Sequence, residues 1–279
     1  MYPLNDISPA DYKLLADMVY DVTGLTFTGS QSSLFEKRIK TRSDAVGSSS
    51  IKEYYHYLKY DSNRNVEFKH LINLLTVNET YFFRENQQIE TLIKEILPEI
   101  KARNENNKQI KIWSCASSTG CEPYTLAIAI HESKLFDNSW KVTIYGSDVN
   151  TEVLNIARAG VYTESAFRVV EPSIKNKYFT EKDEGSFYIS DEIKKMVTFS
   201  QINMFNESQM KTMKDIDVIF CRNVLIYFNT ESKKKVADSF YNSLNDNGYL
   251  FIGQSESLFK VTTAFKIKPM KGVMLYTKM

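Results

Sequence analysis

Two different hydrophobic periodicities divide this chain of 279 residues. Up to about residue 75, apolar residues recur every three or four positions, for example in the segment 11–20, and this spacing predicts helices. From Lys108 onward, short apolar runs such as residues 216–220 alternate with helical segments, which is typical of a mostly parallel sheet with crossover helices. The pattern therefore predicts an all-helical amino-terminal unit followed by an α/β domain.

Turn and capping residues set approximate bounds for these elements. Gly24 follows the first helix, Ser50 stands where it can cap the third, and a turn at residues 245–248 precedes a strand. Between the second and third strands, the interval 160–196 has turn residues flanked by aromatic residues and predicts a small β-hairpin at the sheet edge. The predicted helices cover residues 11–20, 34–42, 51–60, 66–75, 86–104, 122–135, 151–158 and 230–245. The predicted strands cover residues 110–115, 141–147, 197–202, 216–221, 249–254 and 272–277.

The composition is that of an ordinary globular enzyme with a sizeable core. Hydrophobic residues make up 43% and charged residues 25%, which excludes the disordered class. The net charge is +1, so charge does not point to nucleic acid or to a membrane surface. No apolar run approaches the length of a transmembrane helix. We therefore expect no nucleic-acid partner and no membrane insertion.

Cysteine and histidine usage predicts neither disulfides nor a metal site. The three cysteines, Cys115, Cys121 and Cys221, are an odd number, which favours a reducing cytoplasm over an oxidising compartment. No Cys-x-x-Cys pair occurs, and each of the three histidines is isolated in helical sequence. We therefore expect no bound metal.

The segment around residues 110–125 predicts a nucleotide cradle. A β-rich run breaks into a small-residue loop, and a helix with Pro123 near its start follows. Such a strand–turn–helix unit offers free backbone N–H groups and room for the close approach of a ligand. Any α/β protein has such loops, however, and the single Gly120 is a weak signal.

Asp148 strengthens the nucleotide interpretation. It ends the next predicted strand, where an acid in a doubly wound sheet can bind both hydroxyls of a ribose. Because the first turn lacks a G-x-G-x-x-G motif, a nucleoside without a pyrophosphate fits better, and S-adenosylmethionine is the commonest such cofactor. The alternative role for Asp148 is to cap the following helix, although Asn150 can serve as that cap.

Four separated segments together resemble the chemotaxis receptor methyltransferases, the CheR family. The resemblance runs through nearly the whole chain, in the right order and spacing. It implies methyl transfer from S-adenosylmethionine to glutamate side chains on the cytoplasmic helices of chemoreceptors, which gives glutamate methyl esters and S-adenosylhomocysteine. The segments are Asn-Glu-Thr-Tyr-Phe-Phe-Arg at 78–84, Gly-Cys-Glu-Pro-Tyr at 120–124, Ser-Asp at 147–148 and Cys-Arg-Asn-Val-Leu-Ile-Tyr-Phe at 221–228, and Gly-Gln-Ser-Glu at 253–256 fits as well.

The resemblance also implies a fold and a division into domains. The fold class is α/β, a Rossmann-like class I S-adenosylmethionine-dependent methyltransferase with a mostly parallel sheet, a small all-α amino-terminal domain and a small β-hairpin insert. The expected boundaries are 1–75 for the helical domain, 76–90 for a linker that contributes to the cofactor cleft, and 91–279 for the methyltransferase domain, with the insert at about 165–196. We expect a cytoplasmic monomer.

Each matched position takes a role from the family. Glu122 would hold the methionine amino group and Asp148 the ribose, while Arg84 and Tyr227 would lie beside the acceptor and the transferred methyl group. The first of the two acids that the family usually carries before Pro-Tyr is Cys121 here, which puts a charge role at that position in doubt. The other expected cofactor-binding residues are Asn78, Thr80, Arg84, Arg222 and Asn223, with Asn203 and Met204 beside the adenine.

Several of these residues also have a purely structural alternative. Arg84 and Arg222 could form surface ion pairs of little energetic weight. Tyr227 could pack a strand-to-helix turn, and Asn78 could cap the next segment.

The chemistry of the expected acceptor explains why no catalytic histidine is needed. A glutamate carboxylate has a reference pKa of about 4.3 and is ionised at neutral pH, so it requires no general base. Catalysis would come from alignment and from removal of the water around the carboxylate. We therefore predict that Tyr227→Phe lowers kcat more than it weakens cofactor binding.

Four cations on the second helix are a candidate docking surface for acidic receptor helices. They flank Phe35 and Ile39, which are expected to face the core, and they fall on two sides of the helix by i,i+3 and i,i+4 spacing. An ordinary solvated helix face is the alternative. If the cations dock the receptor, charge reversal at Arg38 and Arg42 reduces methylation without changing cofactor affinity. The four cations are Lys37, Arg38, Lys40 and Arg42.

Two alternatives to a receptor methyltransferase stay open. One is a non-catalytic signalling module that binds S-adenosylmethionine, and the other is a methyltransferase for a different protein or a small-molecule acceptor. Some family members also bind a peptide at the receptor carboxyl terminus through a hairpin with extra glycine-rich residues. Here the interval 179–197 is short and has only Gly185, so we expect an enzyme that does not depend on such a peptide.

Overall fold

Four helices form the amino-terminal part of the structure, a computed structural model that describes residues 7–278. Residues 1–6, where the predicted helical unit begins, and residue 279 lie outside the described residues. Gly24 ends the first helix in a left-handed conformation, and the Ser50 hydroxyl caps the third by accepting the Glu53 N–H at 3.2 Å. The helices are α1 (Pro9–Thr23), α2 (Ser32–Ala45), α3 (Ile51–Tyr60) and α4 (Arg64–Leu75).

These helices pack around a hydrophobic core of their own. Phe35 and Ile39 of α2 are fully buried, as expected, together with Leu15 and Val19 of α1 and Leu71 of α4. Tertiary burial of this kind stabilises helices that would be too short to persist alone. The four predicted helices are confirmed.

One long helix connects this unit to the sheet. It runs as α5 (Asn86–Thr91), a π-helical segment (Leu92–Ile96) and α6 (Leu97–Arg103), where the sequence predicts an uninterrupted helix over 86–104. The widened segment precedes Pro98, which lacks an N–H for the carbonyl four residues earlier and whose ring would collide with it. The π-type turns accommodate this proline without ending the helix.

Within residues 7–278, the rest of the chain forms ten strands and six further helices. The strands are β1 (Gln109–Cys115), β2 (Lys141–Asp148), β3 (Val161–Tyr162), β4 (Phe179–Asp183), β5 (Ser186–Ile189), β6 (Val197–Gln201), β7 (Ile216–Cys221), β8 (Leu244–Ile252), β9 (Lys266–Met270) and β10 (Val273–Thr277). The helices are α7 (Cys121–Ser133), α8 (Thr151–Ala159), α9 (Pro172–Tyr178), α10 (Asp191–Lys194), α11 (Glu207–Met210) and α12 (Thr230–Ser243).

Seven of these strands form one sheet in the order β6-β2-β1-β7-β8-β10-β9. The first five strands in that order are parallel to one another, and β10 runs antiparallel to both β8 and β9. All six predicted strands belong to this sheet, which confirms the α/β class. β9 was not predicted, because its sequence has two lysines and Pro269, residues that suit an edge strand and weaken a strand signal.

Successive residues of the central strands point to opposite faces of the sheet. In β7, Val218 and Phe220 join one hydrophobic core, whereas Ile219 and Cys221 join the other. Helices therefore cover both faces, and a continuous apolar run, rather than an alternating one, is the sequence signal of this strand.

The turn predicted at residues 245–248 is wrong, because these residues belong to β8. Asn247 has a left-handed φ of 58°, and the register with β7 shifts between Ile216 and Val218. The side chain of Asn245 donates to Asp217 at 3.0 Å and fixes this irregular stretch. The turn-type residues therefore make a bulge within a strand rather than a separate turn.

The predicted hairpin insert forms a second, antiparallel sheet in the order β3-β5-β4. Gly185, with a φ of 74°, lies at the turn between β4 and β5. The insert is anchored by aromatic packing: the ring of Phe82 stacks on Phe167 at 5.4 Å and meets Phe179 edge-on at 4.9 Å. These contacts tie the insert to the segment that links the helical unit with the sheet.

Hydrogen bonds hold the helical unit against the sheet. Asn150, just after β2, donates to the Asn73 carbonyl at 3.0 Å and to the Thr76 hydroxyl at 2.7 Å. Gly24 is closely packed as well, since a Cβ there would lie 2.5 Å from the Phe205 ring. Within residues 7–278, no helix has both the length and the apolar character needed to cross a bilayer.

Candidate active site

A cleft opens where the carboxyl ends of β1, β2 and β7 face the helical unit. Its open space, including the mouth, is about 1260 Å³. Because neighbouring parallel strands end at the same edge of a sheet, the loops that follow them converge here. All the residues that the sequence predicts to bind the cofactor or to act in catalysis line this cleft: Asn78, Thr80, Arg84, Glu122, Asp148, Asn203, Met204, Arg222, Asn223 and Tyr227.

The loop after β1 is compact because it uses left-handed residues. Ala116, Ser118 and Gly120 have φ values of 56°, 50° and 87°. A Cβ at Gly120 would lie 2.8 Å from the Cβ of Ala157, so only glycine fits at the start of α7. This close packing brings the first turn of α7, and with it Glu122, to the cleft wall.

Asp148, at the end of β2, is held by backbone donors. Its two carboxylate oxygens accept the N–H groups of Ser118 and Asn150, each at 2.9 Å. Burial raises the pKa of Asp148 above its ordinary value, and the backbone hydrogen bonds oppose that rise. Asn150 caps α8 by accepting the Glu152 N–H at 2.9 Å, as expected, so Asp148 does not have to serve as the cap.

Glu122 and Arg222 form the charged centre of the cleft. Glu122 accepts the Ser114 hydroxyl at 2.7 Å and an N–H of Arg222 at 3.1 Å. Arg222 also lies 3.2 Å from a carboxylate oxygen of Glu85 and donates to the Arg84 carbonyl at 2.6 Å. The Arg222 side chain is only 3% exposed, so it is not a surface ion pair. Burial raises the pKa of Glu122, and the positive charge of Arg222 is the main influence against that rise.

Glu256 accounts for the Gly-Gln-Ser-Glu segment after β8. Its carboxylate accepts the N–H groups of Gly253 at 2.7 Å, Asn223 at 2.9 Å and Ile226 at 3.3 Å. These bonds join the loop after β8 to the loop after β7, where Asn223 has a left-handed φ of 59°. Glu256 thereby fixes the position of the loop that carries Arg222 and Tyr227.

The cleft lining also includes a phenol, Tyr227, and two cations, Arg38 and Arg84. Tyr227 is half-buried, which raises its pKa, and the charges of Arg38 and Arg84 oppose that rise. Arg84 donates to the Glu79 carbonyl at 3.0 Å. This arrangement can hold an anion, such as a carboxylate, next to a phenolic hydroxyl.

All three predicted asparagines already use their side chains within the protein, and Asn223 donates to a carboxylate oxygen of Glu85 at 3.2 Å. Asn203 donates to the Val22 carbonyl at 2.7 Å and accepts the Phe205 N–H at 2.9 Å, so it ties the loop after β6 to α1. Asn78 donates to the Thr76 hydroxyl at 3.2 Å. All three line the cleft; the bond of Asn203 joins the helical unit to the loop after β6, whereas the bond of Asn78 is local.

The sulfur-containing side chains of Met204, Cys121 and Cys221, in and beside the cleft lining, are neutral groups. The Met204 sulfur is 4.0 Å from the Cys221 thiol. Burial raises the pKa of Cys121 to about 12, although hydroxyl contacts from Thr119 and Thr80 oppose the rise. Position 121 therefore carries no charge at neutral pH. Residues 7–278 contain no cluster of histidine, cysteine and acidic side chains that could hold a metal ion.

Unpartnered polar atoms test whether the cleft fits a nucleoside cofactor. The Ser117 hydroxyl is buried beside the β2 end, and it has no hydrogen-bond partner among residues 7–278. The Nε of Arg222 is in the same situation. Buried polar atoms are nearly always paired in native proteins, with protein or with a bound molecule. Both atoms belong to residues that line the cleft, so a polar ligand there fits the donors present.

Some contributors to the site were missed from the sequence. Leu25 lines the cleft from the helical unit, and the next residue, Thr26, donates its N–H to the Tyr227 carbonyl at 2.9 Å. Ser114 and Glu85, which hold the charged centre, were also missed. Ser114 and Glu85 lie within or beside the sequence motifs, but only their contacts with Glu122 and Arg222 in the folded chain distinguish them from neighbouring residues.

The four cations of α2 do not form one free patch. Two N–H groups of Arg42 bind the carboxylate of Glu67, whose side chain is 4% exposed and also accepts the Tyr54 hydroxyl at 2.7 Å. Arg38 lines the cleft and donates to the Leu75 carbonyl at 2.7 Å. Arg42 therefore supports the interior of the helical unit.

Lys37 and Lys40 are the remaining cations of α2, and Lys37 is the more exposed of the two. Neither has an ion-pair partner within residues 7–278. A docking role for these lysines stays a prediction.

Comparisons with known proteins agree on one family. A family model described as "CheR methyltransferase, SAM binding domain" matches residues 78–274, and one described as "CheR methyltransferase, all-alpha domain" matches residues 10–76. Chemotaxis protein methyltransferase 2 of Vibrio cholerae is 36% identical over 94% of this chain and 90% of that protein. Chemotaxis protein methyltransferase of Borreliella burgdorferi is 33% identical over 91% of this chain and 90% of that protein.

Proposed function

This chain belongs to the CheR methyltransferase family, and from that premise we propose how its cleft methylates a chemoreceptor glutamate. The protein is an S-adenosylmethionine-dependent protein-glutamate O-methyltransferase of chemotaxis, and S-adenosylhomocysteine is its product. The observation that carries the proposal is one cleft lined both by the acids Glu122 and Asp148 and by Arg84 and Tyr227, whose part of the lining we call the acceptor end.

The two acids suit the two polar parts of the cofactor. Glu122 keeps free acceptor capacity beside Arg222 and binds the methionine ammonium group. Asp148 sits at the end of β2, where a carboxylate accepts ribose hydroxyls. The unpartnered Ser117 hydroxyl gains a partner when the cofactor binds. The remaining predicted contacts come from Asn78, Thr80, Asn203, Met204, Arg222 and Asn223.

Bound S-adenosylmethionine supplies an electrophilic methyl group on a positively charged sulfur. The acceptor is a glutamate carboxylate, which is already ionised at neutral pH. No residue has to remove a proton, so a cleft lining that has no histidine among residues 7–278 is no obstacle. The task of the protein is alignment and exclusion of water.

Arg84 and Tyr227 are proposed to perform that alignment. The guanidinium of Arg84 attracts the acceptor carboxylate, and the Tyr227 hydroxyl orients it. Because the carboxylate loses its negative charge as the ester forms, a strong clamp would hold the substrate more than the transition state. A modest contact is the better catalyst. Arg84 meets this condition, since it is half-buried and already engaged with the Glu79 carbonyl.

The proposed partner is the cytoplasmic helical part of a chemoreceptor, which places the reaction in the cytoplasm. We propose that residues 1–75 form a domain that meets this partner, that residues 76–90 link it to the cleft, and that residues 91–279 form the methyltransferase domain. The contacts of Arg38, from α2, with the cleft support this division of labour, because they bring the helical unit to the acceptor end.

Cofactor titration and product chemistry test the proposal together. Asp148→Asn is expected to weaken S-adenosylhomocysteine binding about 10- to 100-fold in calorimetry, since it removes charge-assisted hydrogen bonds. Asp183→Asn, an exposed carboxylate of β4, is the matched control. With methyl-labelled cofactor and a receptor cytoplasmic fragment, treatment with alkali is expected to release labelled methanol. Alkali-stable label would indicate another acceptor, and binding without transfer would indicate a non-catalytic module.

A further inference from the structure

The ring of Tyr81, which lines the cleft, lies close to two arginines. The guanidinium carbon of Arg168 is 3.8 Å from the centroid of the Tyr81 ring, and that of Arg84 is 5.6 Å from the same centroid. Arginine stacks well on aromatic rings because its charge is spread over a plane. The three side chains thus form a stack that joins the insert, through Arg168, to the cleft, through Arg84.

Glu79 holds both cations of this stack. Its carbonyl accepts an N–H of Arg84 at 3.0 Å, and its carboxylate accepts an N–H of Arg168 at 3.0 Å. Two guanidinium groups on one ring repel each other, and the Glu79 carboxylate offsets part of that repulsion. The unit therefore keeps a net charge of +1, half of what the two guanidinium groups would carry without Glu79.

The backbone that carries Tyr81 is fixed to the insert as well. The N–H of the next residue, Phe82, donates to the Ala166 carbonyl at 3.0 Å, and its ring is fully buried against Phe167. Arg168 follows Phe167 directly. The insert thus sets the position of Tyr81 from two sides, by its backbone and by the ring's stacking partner.

We propose that Tyr81 and Arg168 are positioning residues that fix the guanidinium of Arg84 at the acceptor end of the cleft. This inference rests on the role proposed above for Arg84. An arginine has four rotatable bonds, and a reacting carboxylate must be aligned closely for displacement. A stacking partner reduces the number of orientations that Arg84 visits before the acceptor arrives. The insert contributes no side chain to the cleft lining within residues 7–278, so it takes part in catalysis through this stack alone.

Tyr81→Ala and Arg168→Gln test the stack in methyl transfer to a receptor cytoplasmic fragment. Each is expected to lower kcat about two- to fivefold, the size of a half-exposed cation–π contact, and to leave the KM for S-adenosylmethionine unchanged. Tyr81→Phe, which keeps the ring, is expected to recover most of the rate that Tyr81→Ala loses. The matched control is Lys182→Gln, because the Lys182 ammonium lies 4.8 Å from the Tyr188 ring on the same insert, outside the cleft lining.

Coupling to Arg84 separates positioning from a general structural role. In an Arg84→Lys background, which keeps a charge but lacks the planar guanidinium, Tyr81→Ala is expected to cost less than about twofold, because residues that act through one group are not additive. The inference would be overturned if Tyr81→Ala lowered kcat by the same factor in this background as in the wild-type enzyme. It would also be overturned if the Tyr81→Ala enzyme had the wild-type kcat.

The proposed role of Arg84 can fail separately. An Arg84→Ala enzyme with the wild-type rate overturns that role, and this inference with it. If Arg84→Ala is slow but Tyr81→Ala lowers kcat by the same factor with Arg84 present and in the Arg84→Lys background, the role of Arg84 stands and only the inference about Tyr81 and Arg168 is overturned. S-adenosylhomocysteine binding by calorimetry, together with the thermal midpoint, establishes that each variant is folded.

Discussion

The helical unit and the cofactor cleft each bury a glutamate beside an arginine, but they complete the pair differently. Glu67 accepts two N–H groups of Arg42 and the Tyr54 hydroxyl, and all three residues belong to the helical unit. Glu122 accepts one N–H of Arg222 and one serine hydroxyl. The cleft pair also leaves the Nε of Arg222 without a partner among residues 7–278.

The difference separates a structural ion pair from one prepared for a ligand. A carboxylate can accept about four hydrogen bonds, so Glu67 is close to saturated whereas Glu122 keeps capacity for a cation. The cleft arrangement has a cost. Because burial raises the pKa of Glu122, the ionised form that binds a cation is less favourable in the folded protein than in the unfolded chain. The pair in the helical unit therefore stabilises the fold, whereas the pair in the cleft is less stabilising and keeps hydrogen-bonding capacity for a ligand.

The largest expected effect is on the stability of the protein, and it tests whether the Arg42–Glu67 pair is structural. Arg42→Met leaves Glu67 buried without its cation, which is expected to lower the free energy of unfolding by about 2–4 kcal/mol. The folded variant should still bind S-adenosylhomocysteine with wild-type affinity, because Arg42 does not line the cofactor cleft. Urea denaturation and calorimetry measure the two quantities.

Lys40→Met, on the same helix, is the matched control for this variant and should change stability little. Adding Glu67→Leu to Arg42→Met should restore much of the loss, since the uncompensated charge is gone. Unchanged stability of Arg42→Met would mean that the pair is not structural.

The second effect concerns the pH dependence of cofactor binding. Glu122 and Asp148 both have raised pKa values, so S-adenosylhomocysteine affinity should fall on acidification at pH values above the ordinary range for these acids. Below those pKa values the fall approaches about tenfold per pH unit for each group that must be ionised. Calorimetry between pH 5 and 8 measures it.

Unfolding does not explain such a loss. A carboxyl group with a raised pKa takes up its proton more readily in the folded state, so in this window acidification favours folding through these two groups. Glu122→Gln should bind weakly at pH 7 and show a shallower pH dependence. A wild-type affinity that is constant across the range would contradict the assignment of both acids.

Tyr227 offers a sharper comparison within the cleft, between binding and alignment. Tyr227→Phe should lower kcat about tenfold, the size of one lost hydrogen bond to a charged group, and change the Kd for S-adenosylhomocysteine less than about twofold. Tyr188→Phe, on the hairpin, is the control. A raised Kd with an unchanged kcat would assign Tyr227 to the cofactor instead of the acceptor.

The smallest expected effect concerns Lys37 and Lys40 of α2. Because Arg42 is committed to Glu67, charge reversal there would test folding rather than docking. Lys37→Glu combined with Lys40→Glu should instead raise the KM for a receptor fragment about threefold at low salt, and less at higher ionic strength. Lys52→Glu, on α3, is the control. An effect that does not depend on salt would argue against electrostatic docking.

The sequence was informative where local pattern and strand direction suffice. The helices of the amino-terminal unit, six strands and the hairpin follow from apolar periodicity and turn residues. Glu122 and Asp148 could be brought together in advance, because residues at the ends of parallel strands meet at one sheet edge. The sequence did not predict the π-helical segment before Pro98 or the edge strand β9 that contains Pro269, because proline is atypical of helices and strands.

The sequence did not predict which charged side chains pair with each other. Nothing in the order of residues distinguishes Arg42, which is paired with Glu67 inside the helical unit, from Arg38, which reaches the cleft four residues earlier. By itself, the chain determined its class, its elements and which acids share an edge, since these depend on periodicity and chain direction. Only the tertiary structure decided which charges are satisfied and which stay available, because that depends on which side chains from distant segments meet in the folded chain.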